Sequence, residues 1–165
     1  MPFSFQHLLE TDKKRNLGFS KIADLLARKR NRLDDRIIAA IQWAGKATVE
    51  SRKEEAFLLY AISLESLVLL ENEKEELTYR LRTRVAHLLG KDLEGRKIIS
   101  ENVRDLYDIR SKIVHSGSYQ VTDANLSLIR FYSKSCILHI FNDEPFSSMN
   151  SIVSLVQWFN EKALN

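Results

Sequence analysis

The chain has 165 residues, 44% of them apolar and 28% charged, with a net charge of +3; this is the balance of one globular domain large enough to bury a core. Five glycines and two prolines are too few for the many turns of an all-β fold, and no apolar run approaches the ~20 residues of a membrane span. A single cysteine, Cys136, excludes an internal disulfide and a cysteine zinc site; with no signal-peptide core in Met1 to Arg15, a reducing cytoplasmic setting is the expectation.

Residues 1–19 show no sustained period and read as an N-terminal extension to a helical domain over 20–165. Ser20 can cap a first helix to about Asn31, with Ile22, Leu25 and Leu26 on one face. A second helix over about Asp34–Ala47 repeats Ile37, Ile38, Ile41 and Ala44 at helical spacing. The third, Glu54–Leu70, places Phe57, Tyr60, Ala61, Leu64, Leu67 and Val68 three and four apart, the wide stripe of a helix buried on one side. The acidic link Glu71 to Glu76 follows. A fourth helix carries Leu77, Leu81, Val85, Leu88 and Leu89 and stops at Gly90.

Lys91 to Gly95 reads as a connection. A fifth helix, about Arg96–His115, keeps Ile99, Val103, Leu106 and Ile113 in register, and Gly117 stops it. After a loop from Ser118, Thr122 or Asp123 can cap a sixth helix to about Phe141, broken by Asn142-Asp143-Glu144-Pro145. A last amphipathic helix covers about Ser148–Leu164. The expected fold is an all-α, antiparallel bundle of about six to seven helices with short loops.

Charge is uneven along the chain. Residues 1–53 hold 12 Lys and Arg against 6 Asp and Glu, whereas 54–165 hold 13 against 16. The excess sits in Lys13-Lys14-Arg15 and Arg28-Lys29-Arg30-Asn31-Arg32. Such a block attracts phosphate by counterion release, which makes Arg28, Arg30 and Arg32 candidates for RNA binding. A solvated helix face is the competing reading.

The chemistry concentrates in Leu106-Tyr107-Asp108-Ile109-Arg110-Ser111-Lys112-Ile113-Val114-His115. At ~100° per residue, Arg110 lies ~40° from Leu106 and ~60° from Ile113, inside the apolar stripe. A charge there needs a partner, and Glu65 or Asp108 can supply an internal salt bridge. His115 lies at the helix end, favourable for a cation, and is the side chain that both takes and gives protons near neutral pH. On one regular helix, residues five apart point ~140° away from each other. Arg110 and His115 therefore do not meet automatically, while Ser111 and His115 share a face. An Arg with a His suits metal-free RNA cleavage: His takes the 2′-OH proton and Arg steadies charge at phosphorus. No metal-ligand spacing, Gly-rich phosphate loop or Ser/His/Asp triad is evident. His7, His87 and His139 are scattered, and His87 reads as structural.

Arg110-Ser111-Lys112-Ile113-Val114-His115 near the end of a long helix resembles the signature of the HEPN superfamily: an Arg, four to six residues, then His. The residues leading into it look like the Apea-like branch. So do Ala61-Ile62-Ser63-Leu64-Glu65-Ser66-Leu67, Arg84-Val85-Ala86-His87-Leu88-Leu89, and the helix bearing Gln42-Trp43-Ala44-Gly45. The resemblance covers about 20–141. Ser116 departs from the Gly that often follows the His in this branch, and Gly117 can serve the same stop.

The resemblance implies a bundle that forms a homodimer through its motif helices, so that two Arg/His pairs face one cleft. Many relatives are metal-independent endoribonucleases of toxin–antitoxin, CRISPR-associated and phage-defence systems, and no cofactor is implied. By this resemblance Arg110 binds or stabilises the scissile phosphate and His115 is the general base or acid. Ser111 orients Arg110 or the phosphate, and Lys112 adds a contact to RNA. Glu65, Arg84 and Tyr107 look like framework residues of a buried polar network. The branch also implies an antitoxin or an upstream sensor domain as partner. Other members keep the fold as non-catalytic dimerisation or nucleotide-binding modules, often at the C-terminal end of a larger protein.

Overall fold

The computed structural model describes residues 19–70, 73, 76–116 and 120–163. The expected stop at Gly117, the loop at Ser118 and most of the N-terminal extension lie outside them. Among the described residues there are seven α-helices and one short 3-10 turn, with no strand. They are α1 (Phe19–Ala27), α2 (Arg32–Val49), α3 (Lys53–Val68), α4 (Leu77–Leu89), α5 (Leu93–Ser116), α6 (Asp123–Asn142), the 3-10 turn Phe146–Ser148 and α7 (Ile152–Ala163). The fold is an all-α bundle, as its periodicity predicts. No described helix is long and apolar enough to cross a membrane.

The ends of the helices follow local chemistry. Asn31 caps α2 by accepting from the N–H groups of Leu33 and Asp34, and Asp34 returns an acceptor to the Asn31 N–H. Thr122 and Asn125 form the same reciprocal box at α6, so the cap is Thr122 rather than Asp123. Ser20 lies inside α1, which already includes Phe19, rather than at its cap position. α5 begins three residues before the expected Arg96. Asp92 explains this: its Oδ1 accepts from the Gly95 N–H at 2.7 Å and its carbonyl from the Arg96 N–H at 3.0 Å, which is an N-cap. The final helix begins at Ile152, because Phe146–Ser148 forms a separate turn that seats Phe146 in the core.

α3 is the central element. It packs on α2, α6, α5 and α4, so its stripe is buried on more than one side, with Ala56 and Ser63 enclosed beside the expected Phe57, Tyr60, Ala61, Leu64, Leu67 and Val68. Its middle is tied by hydroxyls. Ser133 of α6 donates to Ser63 at 2.9 Å, and Ser63 donates to the Ala40 carbonyl of α2 at 2.8 Å. Its C-terminal carbonyls, which no helical N–H can reach, are satisfied from outside. Arg36 of α2 donates to the carbonyls of Ser66 (2.8 Å) and Leu69 (2.5 Å), and Arg84 of α4 donates to that of Val68 at 2.7 Å.

Gly90 does end α4, but its φ of −83° is open to any residue. What matters is space. A Cβ there would lie 2.6 Å from Arg96 Cγ, 2.7 Å from the Ala86 carbonyl oxygen and 2.9 Å from the Arg96 nitrogen. The missing side chain lets α5 fold back tightly on α4.

Candidate functional site

α5 carries the site because its inward line is interrupted by charge. Val103, Leu106 and Ile109 are buried, Ile99 and Ile113 pack against them, and Arg110 is half-buried among them. Arg110 Nε lies 3.2 Å from Glu65 Oε1 of α3, and its guanidinium sits over the Tyr107 ring, 5.6 Å from the centroid. Tyr107, one turn earlier, is close enough to Glu65 for each to shift the other's titration. Of the two acids open to Arg110 from the sequence, Glu65 is the one it reaches; Asp108 is exposed.

The electrostatics of this trio are contested. Burial raises the Glu65 carboxyl above its ordinary range, while Arg110 and Tyr107 pull it down without cancelling the effect. Tyr107 is raised as well, by burial and then by the Glu65 charge. The ion pair uses Nε of Arg110, and Glu65 Oε1 receives no well-aimed hydrogen bond. The clamp is therefore electrostatic rather than bidentate, and it does not engage the two-nitrogen fork that suits an oxyanion.

α5 stays α-helical through Ser116, so its last turn is not loosened. Arg110 and His115 consequently diverge as helical geometry predicts: Arg110 is turned towards α3, and His115 is exposed. Ser111 is half-buried and Lys112 exposed. The described chain brings Arg110, Tyr107 and Glu65 together and leaves His115 at the rim.

Arg84 belongs elsewhere. Its Nη2 lies 2.5 Å from Glu73 Oε1 and its Nη1 2.6 Å from Glu73 Oε2, with its guanidinium 5.3 Å from the Phe159 ring centroid. It joins the α3–α4 link to α7 and touches neither Glu65 nor Tyr107. Burial opposes the Glu73 charge, but the hydrogen bonds from Arg84 and from the Leu70 N–H, with the charges of Arg84 and Arg80, hold its carboxyl below the ordinary range. Glu73 stands among Glu71, Glu75 and Glu76, and nothing in that acidic run singles it out. Arg36 is likewise invisible in the sequence, as one polar residue beside the α2 stripe.

Two of the four cations of the 28–32 block are in ion pairs, and Lys13-Lys14-Arg15 lies outside the described residues. Arg28 Nη2 lies 2.5 Å from the buried Asp34 and Arg30 Nε 3.6 Å from Asp35. Arg32 is exposed at the mouth of a groove of about 1040 Å³, which Asp35, Arg36, Glu65, Ser66 and Glu73 also line. Glu65 thus forms part of the groove wall on one side and holds Arg110 on the other. No group of three or more His, Cys, Asp or Glu among the described residues is placed to hold a metal ion. In comparison with known proteins, the chain matches no family model, no curated protein and no solved structure.

Proposed function

We propose that the chain is a metal-independent endoribonuclease of the HEPN type, acting as a homodimer through α5. The observation that carries this reading is the state of Arg110: a half-buried cation at the end of a long helix, steadied through Nε by Glu65 and through its face by Tyr107. That posture pre-organises a phosphate-binding fork. His115, five residues on and exposed, supplies the group that moves protons. The ~140° divergence between them is accommodated when two α5 helices meet and each cleft takes residues from both copies. Phage defence or a toxin-like stress response is the setting this chemistry suits.

A second reading has an observation in its favour. Arg110 already has a carboxylate partner within its own chain, which suits a non-catalytic dimerisation or nucleotide-binding module in which Arg110 serves packing. The two readings separate in one experiment: purified protein, Arg110→Ala and His115→Ala are incubated with RNA in EDTA, with dimer state and thermal melting followed on the same samples. The nuclease reading expects cleavage by the parent, a fall of about a hundredfold or more in each variant, and 2′,3′-cyclic phosphate ends. Equal activity in all three, or activity that returns only with divalent metal, would rule the assignment out. Absence of cleavage by the parent, with Arg110→Ala losing stability, is the expectation of the second reading.

A further inference from the structure

α6 is apolar on two sides. Its inner side presents Ile129, Tyr132, Cys136, Ile137 and Ile140, all buried where the helix packs on α2, α3 and α4. Its outer side carries Leu128, Phe131, Ser135 and Leu138, at spacings of three, four and three and within an arc of ~80°. Phe131 and Leu138 are each 59% exposed, and Leu128 is half-buried. α5 shows what an ordinary solvated side looks like in this fold: Glu101, Arg104, Asp105, Asp108 and Lys112, all exposed. A surface helix needs one apolar stripe for the core; a second stripe, left in water, marks a face that another molecule covers.

Phe131 is held ready for that contact. Its ring meets the buried Tyr132 ring edge-on, with centroids 5.4 Å apart, and the Tyr132 hydroxyl accepts from Asn102 of α5 at 3.0 Å. An aromatic side chain fixed in this way loses little freedom when it is covered, which is the property of an interface anchor. The charges beside the stripe have one sign. Arg130 and Lys134, both exposed and four residues apart, share one flank. Neither appears in an ion pair among the described residues, and Arg130 donates to the Ser127 hydroxyl at 3.4 Å. The acids at the two ends of α6 are turned to other uses: Asp123 lies 2.9 Å from Lys53 Nζ and Asp143 lies 2.5 Å from His139 Nδ1.

We propose that the outer stripe of α6 docks an acidic amphipathic helix of a partner protein. The apolar side of that helix covers Leu128, Phe131 and Leu138, and carboxylates along its edge meet Arg130 and Lys134. A second copy of this chain fits less well: a two-fold pairing of α6 about the middle of the stripe brings Arg130 and Lys134 of both copies together, and like charges repel. A single RNA strand could use the two cations and the Phe131 ring, but Leu128 and Leu138 give its bases nothing to stack on. The stripe includes neither Arg110 nor His115, so the proposal stands under either reading of the site on α5.

The test uses two labelled helical peptides with the same leucine stripe, one flanked by glutamates and one by lysines, titrated with the full chain and followed by anisotropy. Saturable binding of the acidic peptide is expected, with the basic peptide weaker by about tenfold or more. The double variant Phe131→Ser/Leu138→Ser, at exposed positions, should melt as the parent does and bind the acidic peptide at least about tenfold more weakly. Arg130→Gln/Lys134→Gln should weaken it severalfold and flatten its salt dependence. Absence of saturable binding, or equal binding by Phe131→Ser/Leu138→Ser, would overturn the proposal. So would a homodimer that dissociates in that variant, which assigns the stripe to a second copy, or a single-stranded RNA whose affinity falls in it, which assigns the stripe to nucleic acid.

Discussion

Burial holds the Glu65 carboxyl above its ordinary value of 4.5, against the pull of Arg110 and Tyr107, and the sign of the consequence is definite. Over the interval between the two values the folded chain keeps a proton that the unfolded chain has released. The stability this confers is complete below about pH 4.5 and is lost as pH rises through the raised value. Glu65→Gln cannot titrate. Its stability relative to the parent should therefore improve as pH rises across that interval and level off above it. Urea denaturation of both proteins from about pH 4 to about pH 8 reads this directly; a difference constant with pH would show that Glu65 is not shifted. The arginine in the apolar stripe was legible in the sequence, and so was the short menu of acids that could face it. That Tyr107 would join Glu65 and Arg110 was also accessible, since it lies three residues before Arg110. The separation of Arg84 from that trio was not, because its partner lies in a run of near-identical glutamates.

Elements are joined by charges placed where helices end. Arg84 binds Glu73 in a bidentate pair with side chains 7% and 11% exposed, and it also takes the Val68 carbonyl at the end of α3. Removing Arg84 leaves the enclosed Glu73 with the more exposed Arg80, 3.2 Å away, as its remaining cation. Arg84→Met should cost about 3–5 kcal/mol, which lowers the melting temperature by roughly 10 °C in a chain of this size. Adding Glu73→Gln to that variant should recover part of the loss; thermal melts followed by circular dichroism check both values. All seven described helices were readable to within about four residues at each end, because periods of three and four report directly on burial. α1 stops at Ala27 rather than about Asn31, because Asn31 caps the following helix. Asp92 does not stand out as a cap in the sequence, because Gly95 reads as part of a connection, although Gly95 lies in the first turn and its N–H is satisfied by that carboxylate.

At the scale of the whole molecule, charge counted along the chain overstates charge offered to a ligand. Asp34 and Asp35 stand only a few residues beyond Arg28 and Arg30 and take both into ion pairs. The first turn of α2 thus neutralises much of the block before it. The variant Arg28→Gln/Arg30→Gln/Arg32→Gln should therefore reduce the slope of log affinity for single-stranded RNA against log salt by no more than about 0.7, the share of one phosphate contact. Anisotropy of a labelled oligonucleotide over a salt series measures it. A reduction of about 2 would show that all three residues meet the RNA backbone.

The hydroxyls at the centre of the bundle run one way: Ser133 gives its proton to Ser63, and Ser63 gives its own to Ala40. Both serines are fully enclosed, yet they are not equivalent. Deleting the oxygen at the head of the line, Ser133→Ala, leaves the downstream link intact. Deleting the middle oxygen, Ser63→Ala, strands a donor on α6 and takes from the Ala40 carbonyl of α2 the donor it has besides its own helix. Two chemically identical substitutions, one residue-contact apart, should therefore differ in cost, about 1 kcal/mol for Ser133→Ala and about 2–3 kcal/mol for Ser63→Ala. Equal losses in denaturant titrations would mean that the line has no preferred direction.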